Sequence, residues 1–207
     1  MVTNVYVDGF NVYYGCLRGT PYRWLDLEAL CHRLLPQNTI HRIRYFTAHV
    51  SSRVTDPQAP QRQQAYLRAL ETIPCLSVHL GHFLTHPVSM PLADPLPGGP
   101  VTVRVMKTEE KGSDVNLATH LLLDAFRKDC EVAVVISNDS ELKEPITAVQ
   151  RDFHIPVGVV NPHSAARRSR ALRPAFFKQI RGKDLPACQF PDHMTDTKGM
   201  IHKPLGW

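Results

Sequence analysis

The sequence contains no run of apolar residues long enough to span a bilayer. Its opening, MVTNVYVDGF, has neither a basic leader segment nor a signal-type apolar stretch; it runs directly into a strand-like segment, so no membrane association is expected and the expected compartment is cytoplasmic. The five cysteines, Cys16, Cys31, Cys75, Cys130 and Cys188, are odd in number, scattered, and form no CxxC pair. That spacing argues against a disulfide framework or a zinc knuckle and leaves idle or buried thiols. No G-x-G-x-x-G follows a strand, so a nicotinamide or flavin role has no fingerprint to rest on. There is no internal repeat. Charge is only mildly one-sided: a net +5 over 207 residues permits a polyanionic partner without requiring one.

What is present is enough apolar material for a real core, 43% of residues. Val2 to Val7 reads as a buried strand, and Asn11 to Leu17 as a helix or loop. A helix spans Leu25 to Leu35, with Leu27, Leu30, Leu34 and Leu35 at helical spacing and Pro36 as its stop. Ile40 to Val50 alternates as a second strand, Ser51 to Pro60 is a loop, and Gln61 to Glu71 is a helix. Cys75 to Phe83 gives a third strand. Thr85 to Pro100 holds five prolines and two adjacent glycines and reads as an irregular loop. Val101 to Met106 returns as a strand, forming a hairpin with the one before the loop. A strongly amphipathic helix opens at Asp114, and Glu131 to Ile136 is a continuous apolar strand of the kind buried on both faces. A helix to Phe153, a strand from Ile155 to Val160 and a helix after Pro162 complete the pattern. This alternation predicts an α/β fold with a central, mainly parallel sheet flanked by helices. The domain is expected to occupy residues 1–181, with 182–207 as an extended tail that packs across the domain or against a second subunit, as in a homodimer.

Three acids stand out by position. Asp8 ends the first strand, Asp139 follows the strand 131–136, and Asp114 opens a helix after a lysine–glycine turn. In a parallel sheet the first two lie on the same edge, where such sheets carry their ligands. Any one of them alone reads as a turn former or helix cap; their joint placement points to a shared site. Crowded carboxylates are costly unless a cation neutralises them, and hard oxygen ligands select Mg²⁺ or Mn²⁺. Such an ion activates water and stabilises charge on a phosphoryl oxygen. Basic residues supply a substrate side: Lys111 near Asp114, and Arg167, Arg168, Arg170 and Arg173, a cluster suited to backbone phosphates or simply to a solvated face. His163, just past the strand ending at Val160, reads as a surface residue.

Val5-Tyr6-Val7-Asp8-Gly9-Phe10-Asn11, Lys111-Gly112-Ser113-Asp114-Val115 and Ser137-Asn138-Asp139-Ser140-Glu141 together resemble, in order and coarse spacing, the three motifs of NYN domains, including the LabA-like group. Ser169 to Ile180, with Leu172, Phe176 and Phe177, resembles their closing helix. The resemblance covers residues 2–181. It implies a PIN-like three-layer fold and a metal-dependent ribonuclease acting on RNA. Asp8, Asp114 and Asp139 would be the metal ligands for Mg²⁺ or Mn²⁺. Asn11 would orient a water or a carboxylate near Asp8, and Glu141 would complete the catalytic acids. Lys111, Ser137, Ser140, Arg167 and Arg168 would face substrate. Two positions depart from the family pattern. Asn138 replaces a glycine and is expected to tolerate a left-handed turn, and Glu141 replaces an aspartate and would reach a metal through water. Three alternatives stand beside this reading. One is a non-catalytic RNA-binding or scaffold protein. Another is a haloacid-dehalogenase-like phosphatase with Asp8 as nucleophile, although Phe10 occupies the place of its second acid. The last is the pyridine-ring hydroxylase that some relatives are labelled.

Overall fold

The computed structural model describes residues 1–207. Seven strands form one sheet in the order β4-β3-β2-β1-β5-β6-β7: β1 Val2–Asp8, β2 Thr39–Ala48, β3 Leu76–Pro91, β4 Thr102–Lys111, β5 Val132–Ile136, β6 Val157–Asn161 and β7 Phe176–Gln179. All neighbours are parallel except β3 and β4. Five helices connect them: α1 Gly9–Val12, α2 Leu27–Leu34, α3 Ala59–Glu71, α4 Ser113–Phe126 and α5 Lys143–Asp152.

Alternation along the central strands sorts the core into two layers. Val5 and Val7 of β1, with Val134 and Ile136 of β5, pack on one face under α2 and α3. Tyr6, Ala133 and Val135 pack on the other under Leu117 and Leu121 of α4 and Ile146 and Val149 of α5. Burial on both faces is why β1 and β5 read as nearly continuous apolar runs. A buried ion pair sits in the second layer: Arg44 grips Asp124 with both guanidinium arms, at 2.7 and 2.8 Å, and the Tyr6 hydroxyl donates to the same carboxylate at 2.9 Å.

The strand order changes direction at β1, which has β2 on one side and β5 on the other. Val7 pairs with Ile136, so Asp8 and Ser137 leave the sheet side by side.

Three expectations are corrected. The stretch from Thr85 is not an irregular loop: β3 continues to Pro91 and pairs with β4 down to Pro91 opposite Thr102. Its prolines fit because Leu92 N–H donates to Val101, so the alternate positions Pro91 and Pro87 face away from β4, beyond the point where β2 stops pairing at Gly81. The closing helix expected over Ser169 to Ile180 is a strand, β7, preceded only by a 3₁₀ turn at Ala165–Arg167. Pro174 disfavours helix there, and Phe176 and Phe177 go to opposite faces of the sheet, a period of two. Gly158 on β6 leaves room for the Phe176 ring, which would collide with a side chain there. Finally, residues 182–207 are not simply extended. They carry a hairpin, β8 His193–Asp196 and β9 Gly199–His202, and bury Leu185, Cys188, Phe190 and Ile201 in the first layer. Trp24 anchors the segment by donating its indole N–H to Pro191 at 2.9 Å and packing on Phe190.

Candidate metal and phosphate site

Asp8 terminates β1 and caps α1. Its Oδ1 accepts the Asn11 backbone N–H and its Oδ2 accepts the buried Ser137 hydroxyl, both at 2.9 Å. The Ser137 oxygen in turn accepts the Asp139 N–H at 3.1 Å, and Asp139 Oδ1 accepts the Glu141 N–H at 2.9 Å. A chain of local bonds therefore fixes the first and third motifs against each other. Asn11 adds a second tie through its side chain, whose oxygen accepts the Asn138 N–H at 2.9 Å.

Asn138 does not adopt the left-handed turn expected of it; only Lys128 and His154 among non-glycine residues have positive φ. Its amide instead clamps the basic loop, donating to the Arg167 carbonyl at 2.8 Å and accepting the Ser169 N–H at 2.7 Å. A glycine could make neither bond.

Asp114 lies in the first turn of α4, but it is not the cap. Gly112, at φ 98°, takes the N-cap position, and Glu110 supplies the capping carboxylate. Glu110 accepts the Ser113 N–H at 3.1 Å and the Ser113 hydroxyl at 2.6 Å. Its carboxylate fills the space over Gly81, where a Cβ would collide with it. Asp114 is thereby left free of a capping bond. Sequence reasoning overlooked Glu110; the available signal was its place three residues before Ser113, on the strand side of a turn that only glycine makes easily.

The electrostatics join these acids. Burial, together with repulsion from Asp139 and Glu110, raises Asp8 to about 6 against the bonds from Asn11 and Ser137. Burial and then Asp8, Asp139, Glu110 and Glu141 raise Asp114 to about 7. Asp8, Asp139, Glu110 and Glu141 are thus all within electrostatic reach of Asp114. As placed, no three of them close on a point where an ion would be ligated. The donor set is all oxygen and its own repulsion opposes full ionisation, which fits a hard divalent cation.

Ser140 is exposed in the turn after Asp139. Lys111 is exposed, with Nζ 3.7 Å from Glu109. Arg168 stacks on the Phe177 ring at 3.6 Å, and Arg167 is exposed on the loop that Asn138 holds. His163 is held through its backbone N–H to Asn161, and burial and Arg167 disfavour its charge.

The family model described as "NYN domain" matches residues 2–178, most of the chain. The chain belongs to the NYN domain family. NYN domains are generally nuclease-like and PIN-like in fold. This NYN chain is 31% identical to a Pseudomonas putida protein named 6-hydroxy-3-succinoylpyridine 3-monooxygenase HspA, over 99% of this chain and 75% of that one. Its fold is similar to the crystal structure of a Vibrio parahaemolyticus protein of unknown function. The TM-score is 0.56, the identity 18%, and the match covers 89% of this chain and 94% of that one. No helix is long and apolar enough to cross a membrane.

Proposed function

We propose that this NYN domain is a ribonuclease that hydrolyses RNA phosphodiester bonds with Mg²⁺ or Mn²⁺ held by Asp8, Asp114 and Asp139. The observation that carries the reading is the gathering of acids from separate elements: Asp8 at the end of β1 and Asp114 in the first turn of α4 are both raised, chiefly by burial, and Asp8 and Asp139 add to the rise at Asp114. Acids brought together at a cost in charge are characteristic of a functional site rather than of packing. A bound divalent ion would supply an activated water and charge neutralisation at the phosphoryl group.

The chain's own residues prepare the site. Ser137 and the Asn11 backbone hold the Asp8 carboxylate in one orientation. The Glu141 N–H does the same for Asp139. Glu110 and Glu141 add negative charge, and Glu141 would reach the ion through water. Arg167 and Arg168, on the loop fixed by Asn138, would receive flanking phosphates, with Lys111 and Ser140 on the exposed rim. Hydrolysis adds water across one P–O bond, leaving a phosphate on one fragment and a hydroxyl on the other.

The test is cleavage of an end-labelled RNA by the wild-type chain and by Asp139→Asn, each with Mg²⁺ and Mn²⁺, alongside Mn²⁺ binding followed by electron paramagnetic resonance. The expected result is loss of cleavage by at least about 100-fold together with weaker Mn²⁺ binding. Full activity of Asp139→Asn would remove the assignment.

A second reading is favoured by one observation: the Pseudomonas relative, named as a pyridine monooxygenase, aligns with nearly the whole chain. Ring hydroxylation of a small heteroaromatic would consume dioxygen and two electrons from a reductant, placing one oxygen atom on the ring and the other in water. Conversion of 6-hydroxy-3-succinoylpyridine by the purified chain with NADH, unaffected by Asp139→Asn, would support it over the nuclease.

A further inference from the structure

Beside the acidic site lies a cavity of about 340 Å³, within the ~300–1,000 Å³ range of small-ligand sites. The turn that carries Asp8 forms one wall, since Gly9 and Phe10 line it. A Cβ at Gly9 would stand 2.6 Å from the Tyr45 ring, so glycine lets that ring, itself part of the cavity, lie directly against the residue after Asp8.

Two chemistries line this space. Tyr13, Tyr14, Tyr45, Tyr66 and Trp207 provide aromatic surface, and Tyr14 is 52% exposed. Arg18, Arg23, Arg53 and Arg62 provide positive charge against a single acid, Asp56, which pairs with Arg62 at 2.5 Å. The other three guanidinium groups have no carboxylate partner: Arg18 lies 5.5 Å from the Tyr14 ring, and Arg23, 5.6 Å from Trp207, donates to the Thr20 and Gly206 carbonyls. Arg18 and Arg53 are exposed, as is Tyr14. The indole N–H of Trp207 is buried and has no acceptor. Such a donor is costly to leave unmade unless a ligand satisfies it.

The lining therefore fits a flat ring with hydrogen-bond acceptors, attached to an anionic arm. We propose that the cavity receives an unpaired nucleobase of a single-stranded RNA, flanking the phosphate presented to the acidic site. This deepens the nuclease reading and rests on it. Aromatic faces stack any base, and arginines at exposed positions track a backbone that continues outward. A small aromatic acid would instead bring its charge inside, whereas two of the three arginines without a carboxylate partner, Arg18 and Arg53, are exposed. Base capture next to Asp8 would make the enzyme favour unpaired segments over duplex.

The test uses the full chain carrying Asp139→Asn, in EDTA, so that binding is read without cleavage. The probes are a fluorescein-labelled single-stranded octanucleotide RNA, its duplex, and 6-hydroxy-3-succinoylpyridine. Tyr14→Ala and Arg53→Ala change exposed side chains outside the core, and melting curves confirm that each folds. The expected result is tighter binding of single strand than duplex, weakened about 10-fold or more by Tyr14→Ala and also by Arg53→Ala, with duplex binding unchanged. The single strand should quench Trp207 fluorescence, and Trp207→Phe should abolish that quenching. Single-strand affinity unaltered in both variants would overturn the base subsite. So would 6-hydroxy-3-succinoylpyridine saturating the cavity while RNA fails to compete, which would mark a small-molecule site. The two readings fail separately. Metal-dependent cleavage by the Asp139 chain with no effect of Tyr14→Ala removes the subsite alone. Base-dependent binding without cleavage under either metal removes the nuclease alone.

Discussion

Replacing Asp114 by asparagine should make the metal-free protein more stable at alkaline pH, the opposite of what removal of a conserving contact would do. Asp114 has no hydrogen-bonded or ion-pair partner and is surrounded by Asp8, Asp139, Glu110 and Glu141, so its ionised form is disfavoured when folded and its pKa moves from 3.8 to about 7. The sign follows from proton linkage. Between these two values the folded chain holds a proton that the unfolded chain has released. Stability from this group is therefore complete below about pH 4 and is lost as pH rises through about 7. The full displacement corresponds to about 4 kcal/mol, and partial solvent exposure reduces it to about 2 kcal/mol.

Asparagine imitates the protonated acid in shape and removes the charge. In EDTA at pH 8, Asp114→Asn should melt above wild type by about 4–8 °C, which is about 2 kcal/mol for a chain of this size. At pH 4 to 4.5 the two proteins should melt together. Saturating Mn²⁺ or Mg²⁺ at pH 8 should reverse the order, since a ligand at 100 times its dissociation constant adds about 2.7 kcal/mol to whichever protein binds it. The assay is differential scanning calorimetry across this pH range, with and without metal. A variant less stable than wild type at pH 8 in EDTA, with an unchanged pH 4 value, would refute the reasoning, because the carboxylate would then be stabilised rather than repelled.

Ser137→Ala removes the hydroxyl that donates to Asp8 and accepts from the Asp139 N–H. A loss of about 1–3 kcal/mol is expected, together with an Asp8 midpoint above 6 in carboxyl ¹³C NMR; an unmoved midpoint would show that the bond does not hold the acid ionised. Arg44→Met leaves the buried Asp124 with only the Tyr6 hydroxyl. Urea denaturation should show a loss of about 3–5 kcal/mol, and a loss under 1 kcal/mol would mean that the pair is already hydrated.

The acidic centre was legible because each acid sits at a chain position with a structural meaning. Asp8 and Asp139 follow apolar runs that can only be central strands, and a parallel sheet brings such ends to one edge. Glu110 escaped notice because its importance arises from a strand pairing, Phe83 opposite Glu110, that lies across an irregular-looking proline-rich stretch. Those prolines were read as breakers. Their outward-facing positions on the unpaired side of β3 depend on register, which composition does not reveal. The closing segment failed differently. Leu172, Phe176 and Phe177 match a helical period as well as a strand over so few residues, and Gly158, which makes room for the Phe176 ring, sits on another strand altogether. The cavity was the least accessible feature: Tyr14, Arg53 and Trp207 come from three distant segments and carry no shared motif.

The acidic centre and the cavity beside it are not independent, because one turn contributes to both. Asp8 is held by the Asn11 N–H inside the short helix α1, and the same helix presents Gly9 and Phe10 to the cavity. Phe10 also packs edge-on against Phe83 at 5.6 Å, the residue paired with Glu110. A ligand that pressed on the cavity wall would therefore act on the position of Asp8 from one side and on the strand bearing Glu110 from the other. Rigid coupling of this kind is how a binding pocket sets the angle at which a neighbouring group meets the reacting atoms. It gives a physical reason for glycine at position 9. Any larger residue would collide with both the Tyr45 ring and the Phe46 backbone carbonyl, so the cavity wall and the turn that carries Asp8 would have to shift together.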